Sequence, residues 1–182
     1  MNIYWHNQRF NSARSQLFGI DDVVNLRNYI QIPKAFNNGV VKCRISYNYV
    51  IHDVEFEKYQ LRPILSLKAI HSDIIYDFKY KEREAINQLY ALKDSCDDIL
   101  IIKDGQVTDT SYGNVAFLAH GKWYVPDRPL LQGTRRMNLI SKSKVTPISI
   151  RTNDLHRYSH ISVFNALIPL GKITIPVSSI LI

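Results

Sequence analysis

The first third of the chain carries two different hydrophobic periods. Phe10, Ala13, Leu17 and Phe18 recur at helical spacing between His6 and Phe18, and Gly19 follows as a stop, so the spacing predicts an amphipathic helix. Asp21 stands as an N-cap for a second helix, which would carry Val23, Val24, Leu26 and Ile30 until Pro33 ends it. After the turn residues Asn37, Asn38 and Gly39 the period changes to two. Val41, Cys43, Ile45, Tyr47 and Tyr49 alternate with Lys42, Arg44, Ser46 and Asn48, which predicts a half-buried strand, and a further strand is expected over 54–59.

The pattern breaks at 61–63, where a domain boundary is expected, with a small α/β domain over 1–61 and a larger β-rich domain over 62–182. Beyond it the periodicity predicts a strand over 64–70, a helix over 81–92 and a strand over 99–103 that enters the turn Asp104-Gly105. Segments 115–119 and 123–125 flank a second turn at His120-Gly121. A short helix over 135–141, opened by Gly133-Thr134, precedes closing strands over 145–150, 161–164 and 172–177. Helices and hairpins of this kind make an α+β chain in which hairpins dominate the second part.

With 182 residues, 46% of them hydrophobic and 21% charged, the chain can bury one substantial core or two small ones. No apolar run approaches the ~20 residues that cross a bilayer, and the start lacks a charged-then-apolar secretion signal, so no membrane association and a cytoplasmic location are expected. Cys43 and Cys96 have neither metal-type spacing nor the density of a disulfide scaffold, and are read as reduced structural thiols. The formal charge of +7 comes from basic residues scattered among acids, with no nucleic-acid-binding motif. No nucleic-acid partner is expected, and the basic surface suits small anionic substrates, which it would steer. GxGxxG, P-loop, HExxH, GxSxG and CxxC patterns are missing, and the six histidines show no ligand spacing, so no metal is expected.

What remains is a set of polar residues in a particular order. Lys79 falls in the aromatic setting of Tyr76, Phe78 and Tyr80, where partial burial would favour the neutral amine that condenses with an aldehyde; a plain surface lysine is the alternative, and Lys81 competes for the role. Asp109 could keep a pyridine nitrogen protonated, or could simply be a turn residue ahead of Ser111 and Gly113, with Asn114 as a backbone-bonding turn residue. Gly133 and Thr134 open a short helix whose amides could face a phosphate, and Arg9 could grip the same group. Asn165 interrupts the apolar VFNALIP run and needs a partner, either structural or a ligand. An amine, a carboxylate, an amide-rich turn and a polar Asn in this order are what an enzyme holding pyridoxal phosphate requires.

These segments resemble a known family. HNQRFNSARSQLFG is similar to a helix with an H-x-x-R-[LF] phosphate arginine, FKYKER to a lysine four residues ahead of an arginine, and the stretch from Asp104 to Phe117 to G-x-[VL]-T-E-x-x-x-x-N-[IL]-F. LLQGTRR resembles L-x-G-x-x-R, and FNALIP resembles C-N-A-L-M-P. Together they resemble the fold-type IV, class IV aminotransferase family of pyridoxal-phosphate enzymes, and within it the aminodeoxychorismate lyases.

The resemblance implies a D-amino acid aminotransferase-like, two-domain subunit in a homodimer, with pyridoxal 5'-phosphate between the domains. It selects Lys79 over Lys81 as the cofactor-bearing catalytic lysine, Asp109 for the ring nitrogen, and Arg9, Gly133, Thr134, Arg135 and Asn165 for the phosphate. The implied reaction is lysis of 4-amino-4-deoxychorismate to 4-aminobenzoate and pyruvate, in folate synthesis. Transamination of branched-chain or D-amino acids, and a family member without turnover, are the alternatives. Three departures stand out: the family's N-terminal β-hairpin is expected to be missing, because the chain starts almost at the arginine helix; Asp109 replaces Glu; and Arg135 replaces a common Thr.

Overall fold

Helix α1 spans Ile3–Phe18 in the computed structural model, which describes residues 2–182. It buries Phe10, Ala13 and Arg14, an i, i+3, i+4 stripe, and Phe10 packs against Tyr47 with ring centroids 4.4 Å apart. Gly19 ends the helix in the left-handed region at φ +66°, where a side chain would be strained, and its N–H donates to the Ser15 carbonyl at 3.0 Å.

The second helix expected from Asp21 to Pro33 does not form; only one 3-10 turn, Leu26–Tyr29, is helical there. The cause is competition from α1. Asn11 accepts from the Val24 N–H and donates to the Val24 carbonyl, both at 3.0 Å, and Asn7 accepts from the Leu26 N–H at 3.0 Å. The Arg14 guanidinium, itself buried, holds the Asp22 carbonyl and carboxylate at 2.9 Å each. With its polar groups already satisfied by α1 side chains, the segment runs extended, and Val23 is left exposed.

Strands β1 (Val41–Tyr47) and β2 (Ile51–Lys58) form an antiparallel hairpin with an irregularity at Ser46/Tyr47. One face carries the cross-strand pairs Lys42–Glu57 and Arg44–Glu55. The expected alternation is only partly realised, since Cys43 is exposed rather than half-buried; Cys96 is buried, and both thiols are free. These elements belong to one compact unit, Met1–Leu61; the remainder is a second, Arg62–Ile182.

The second unit is built on β3 (Leu67–His71), α2 (Glu84–Ala91), β4 (Asp98–Lys103), β5 (Gln106–Thr110), β6 (Asn114–Ala119), β7 (Lys122–Pro126), α3 (Thr134–Ser141), β8 (Thr146–Ile148), β9 (His160–Phe164), β10 (Ile173–Pro176) and β11 (Ile180–Leu181). Among the described residues, nine of these strands form one sheet in the order β10-β9-β6-β5-β4-β3-β11, with β7 joining β6 and β8. Hairpins do not account for all of it: β3 runs parallel to β4 and β11, and β7 runs parallel to β8, with α2 as the crossover between β3 and β4. The Asp104-Gly105 and His120-Gly121 turns have positive φ at both residues, the primed geometry that matches strand twist.

β4 is apolar on both faces because both are covered. Ile99 and Ile101 pack with Ile86 of α2, Tyr76 and Leu130 on one side of the sheet. A second cluster, Ala116, Val125, Val145 and Phe164, takes Leu139 and Ile140 of α3. β6 has β9 along one edge, so its other edge is shared: Asn114 at its start pairs with Asp109 of β5, and Phe117 to Ala119 pair with β7. No helix among the described residues is long and apolar enough to cross a membrane.

The polar latch between α1 and the following segment yields a prediction. Asn11→Ala removes both hydrogen bonds to Val24 and is expected to lower stability by about 1–3 kcal/mol, read as a lower urea midpoint, whereas exposed Gln16→Ala should change it by less than about 0.5 kcal/mol.

Candidate functional site

The β5–β6 turn sets the geometry of the polar cluster. Thr110 closes it: its N–H donates to the Gly113 carbonyl at 2.9 Å, and its hydroxyl oxygen accepts from the Gly113 N–H at 3.1 Å. That turn brings Asp109 and Asn114 directly opposite one another. Asp109 is therefore neither exposed nor a turn residue; it ends up 5% exposed inside the sheet. Its Oδ1 accepts from Asn114 Nδ2 at 2.7 Å and its Oδ2 from the Leu131 N–H at 2.9 Å.

Burial raises the Asp109 carboxyl from 3.8 to about 6, against the pull of the Leu131 and Asn114 donors and the Arg136 charge. Arg136 is 3% exposed and donates to the Pro126 carbonyl at 2.8 Å and the Gln132 side chain at 2.7 Å. Burial draws its proton affinity down, while Asp109 and Asp127 oppose that shift. Arg136 thus braces both ends of the segment that supplies the Leu131 donor.

Gly133 caps α3 at its N-terminus, where no side chain caps the helix and no acid lies in the first turn. Thr134 is buried beside it. Arg135 turns away from the helix axis and donates to the Asn165 carbonyl at 2.6 Å and the Ala166 carbonyl at 2.8 Å. Asn165 is committed to its own loop: its Oδ1 accepts from the N–H groups of Leu167 (2.8 Å) and Ile168 (3.0 Å), and its Nδ2 donates to the Tyr112 carbonyl at 3.3 Å. The structural alternative for Asn165 is thus the one its side chain takes, and its backbone carbonyl anchors Arg135.

Lys79 lies in the connection 72–83 between β3 and α2, and it is exposed rather than partly buried. The connection is tied down on both sides of it. Tyr76 is buried against Leu130 and Leu131, and Arg83 donates to the Ser111 carbonyl. Lys103 also holds the Ile74 carbonyl at 2.9 Å. Lys79 and Lys81 therefore belong to a loop pinned to the same two segments, 109–111 and 130–131, that hold the buried carboxylate. Arg9 sits half-buried on α1 in the other unit, where its charge helps to lower His6 to about 4 after burial has done most of that work.

Asn114, Arg136 and Arg83 were not singled out for their roles by the sequence; Asn114 does bond backbone, at the Leu131 carbonyl, but it is a strand residue and not a turn residue, and it also donates to a carboxylate. The signal available was its spacing, five residues past Asp109 across a tight turn, which places the two side by side.

Comparison with known proteins places the chain in a family. The model of the amino-transferase class IV family matches residues 82–180, a span that begins just after Lys79 and includes Asp109, Gly133 and Asn165. The chain belongs to the amino-transferase class IV family, whose members are pyridoxal-phosphate enzymes of fold type IV. An uncharacterised protein of Haemophilus influenzae is 37% identical over 169 residues, covering 91% of this chain and 90% of its own. A crystal structure from Haemophilus somnus, by name a candidate 4-amino-4-deoxychorismate lyase, superposes with a TM-score of 0.85 at 32% identity, over 93% of this chain and 90% of that one. The pyridoxal-phosphate-bound form of a hypothetical aminotransferase from Mycobacterium tuberculosis has a TM-score of 0.74 at 14% identity, over 98% of this chain and 75% of that one, a likeness of fold alone.

The raised Asp109 carboxyl has a thermodynamic signature. The folded chain keeps this proton up to about pH 6 and the unfolded chain loses it near 3.8, so the folded state binds more protons between those values. The contribution is therefore fully present below about pH 4 and is lost as pH rises through about 6, a loss of about 3 kcal/mol. Urea unfolding of the wild type and Asp109→Asn from pH 4 to pH 7 should show the wild type losing stability relative to the variant across this window. A difference that stays flat with pH would contradict the assigned burial.

Proposed function

We propose that this chain is a pyridoxal-phosphate-dependent 4-amino-4-deoxychorismate lyase, releasing 4-aminobenzoate and pyruvate. The observation that carries the cofactor reading is the buried Asp109 carboxylate, fixed by Asn114 and Leu131 two residues away from an uncapped helix N-terminus. That donor set fits the group: an anionic acceptor suits a protonated ring nitrogen, and a helix N-terminus with no side-chain cap and no acid in its first turn suits a phosphate. When bound, pyridoxal phosphate would supply a carbonyl that takes up the substrate amine and a cationic ring that withdraws electrons from it.

The chain's own residues would do the rest. Asp109, ionised above about pH 6, holds the ring nitrogen protonated, and Arg136 stabilises that charge. The first-turn amides at Thr134 and Arg135 receive the phosphate. Asn165 and Arg135 together shape the adjoining 165–168 loop, so their part is to position the helix end more than to touch the phosphate through their side chains. Lys79 Nζ would hold the cofactor, and its amine would move protons at the amine-bearing carbon and to the departing enolpyruvyl group. Arg9 is carried by its motif alone, and a homodimer and a cytoplasmic location are part of the same reading.

For the reaction itself, the support is the 32%-identical Haemophilus somnus structure and the resemblance of FNALIP to the lyase motif. Amino transfer is the alternative that the family name itself suggests. Pyruvate and aminobenzoate should appear from aminodeoxychorismate without any keto acid; amino transfer that depends on a keto acid, with no aminobenzoate, would sink the lyase reading. Borohydride reduction in the presence of pyridoxal phosphate, followed by peptide mass mapping, should find the adduct at Lys79. Lys79→Ala should lose it and lower turnover by at least about 10²-fold, whereas an adduct at Lys81 would move the catalytic assignment there.

A further inference from the structure

Asn114 makes more contacts across the site than any role in the proposed chemistry requires. It lies 6% exposed at the start of β6, and its Nδ2 spends both hydrogens, one on Asp109 Oδ1 at 2.7 Å and one on the Leu131 carbonyl at 2.9 Å. Both of those partners are acceptors, so the amide cannot turn over without setting oxygen against oxygen. Its Oδ1 is thereby directed at Gly133, where a Cβ would lie 1.9 Å away. No side chain fits at position 133 while Asn114 keeps this orientation, although the backbone there, at φ −65° and ψ 137°, is open to any residue. Glycine at 133 is therefore required by Asn114 and not by the turn.

We infer that Asn114 is a positioning residue that couples the two ends of the cofactor site, the carboxylate facing the ring nitrogen and the helix end facing the phosphate. The inference rests on the cofactor reading given above. A side chain at 133 pushes Asn114 back, Asp109 Oδ1 loses its donor, and damage at the phosphate end is registered at the ring-nitrogen end. The Leu131 N–H still holds Oδ2, and Arg136 on α3 remains the charged group that acts on Asp109. What changes is one neutral donor.

A double-mutant cycle in the cofactor-free protein tests this coupling. The readout is the titration midpoint of the Asp109 carboxyl, followed by ¹³C NMR in wild type, Asn114→Ala, Gly133→Ala and the double variant. Asn114→Ala removes a donor to the charged form and should raise the midpoint by about one unit, a tenfold rise in proton affinity. Gly133→Ala should produce a similar rise with Asn114 present and no more than about 0.3 unit further in the Asn114→Ala background. Equal shifts in both backgrounds, or none in either, would overturn the coupling. Should Gly133→Ala fail to fold, the double variant decides: its folding supports the inference, because the clash is gone, and its failure to fold overturns it. Titration of the wild type with pyridoxal phosphate is run separately. Lack of binding there removes the cofactor reading and leaves the cycle interpretable, whereas a cycle without coupling removes this inference alone.

Discussion

A carboxylate buried between strands needs donors, and the cost of leaving either oxygen bare is larger than most single contacts in the unit. Asp109 meets that requirement with one donor from β6 and one from the segment ahead of α3. Those two pieces of chain are 17 residues apart in sequence, between Asn114 and Leu131, and Asn114 also bonds the Leu131 carbonyl directly. The arrangement closes a small ring of side chain and backbone. Everything adjacent to it, including the start of α3 and the loop carrying Lys79, takes its position from elements that touch this ring.

The sheet explains how the ring comes to exist. β6 gives one whole edge to β9, and its other edge must serve two partners, β5 at its first residue and β7 further along. Only a single residue pair therefore joins β5 to β6, and that pair is Asp109 and Asn114. A regular ladder would have spread the contact over several apolar pairs. Here the sheet divides at a point where two polar side chains face each other, and the segment after β7 returns to fill the opening with its Leu131 peptide. Arg136 then ties that segment to the helix behind it through Pro126 and Gln132.

Much of the second unit was legible in the sequence because its elements are marked locally. The apolar run at Ile99 to Ile102 fits a strand covered on both faces, and Asp-Gly and His-Gly fix two hairpins. The candidate site was legible as an ordered set of motifs, and the family model covers most of them. Two kinds of feature were hidden. Val23, Val24, Leu26 and Ile30 have helical spacing, yet asparagines on the preceding helix claim the backbone of that segment, and a pattern read within the segment carries no trace of them. Asn165 needed a partner that could be structural or a ligand, and the amides two and three residues further on that bond its side chain form a local turn that an apolar sequence context disguises. Lys79 was read as semi-buried from its aromatic neighbours, whereas Tyr76 turns inward and leaves the lysine outside.

The extended stretch that lies along α1 has one more implication. It is fastened by Asn7, Asn11 and Arg14, and Leu26 is the buried apolar residue at its far end. Fastenings made of amide and guanidinium groups can be exchanged for water one at a time, with little apolar area exposed at each step. Substitutions drifting into 23–24 should therefore be tolerated so long as the peptide groups keep their places, because there the helix reads the backbone, whereas Asp22 and Asn25 are held through their side chains by Arg14 and Asn7.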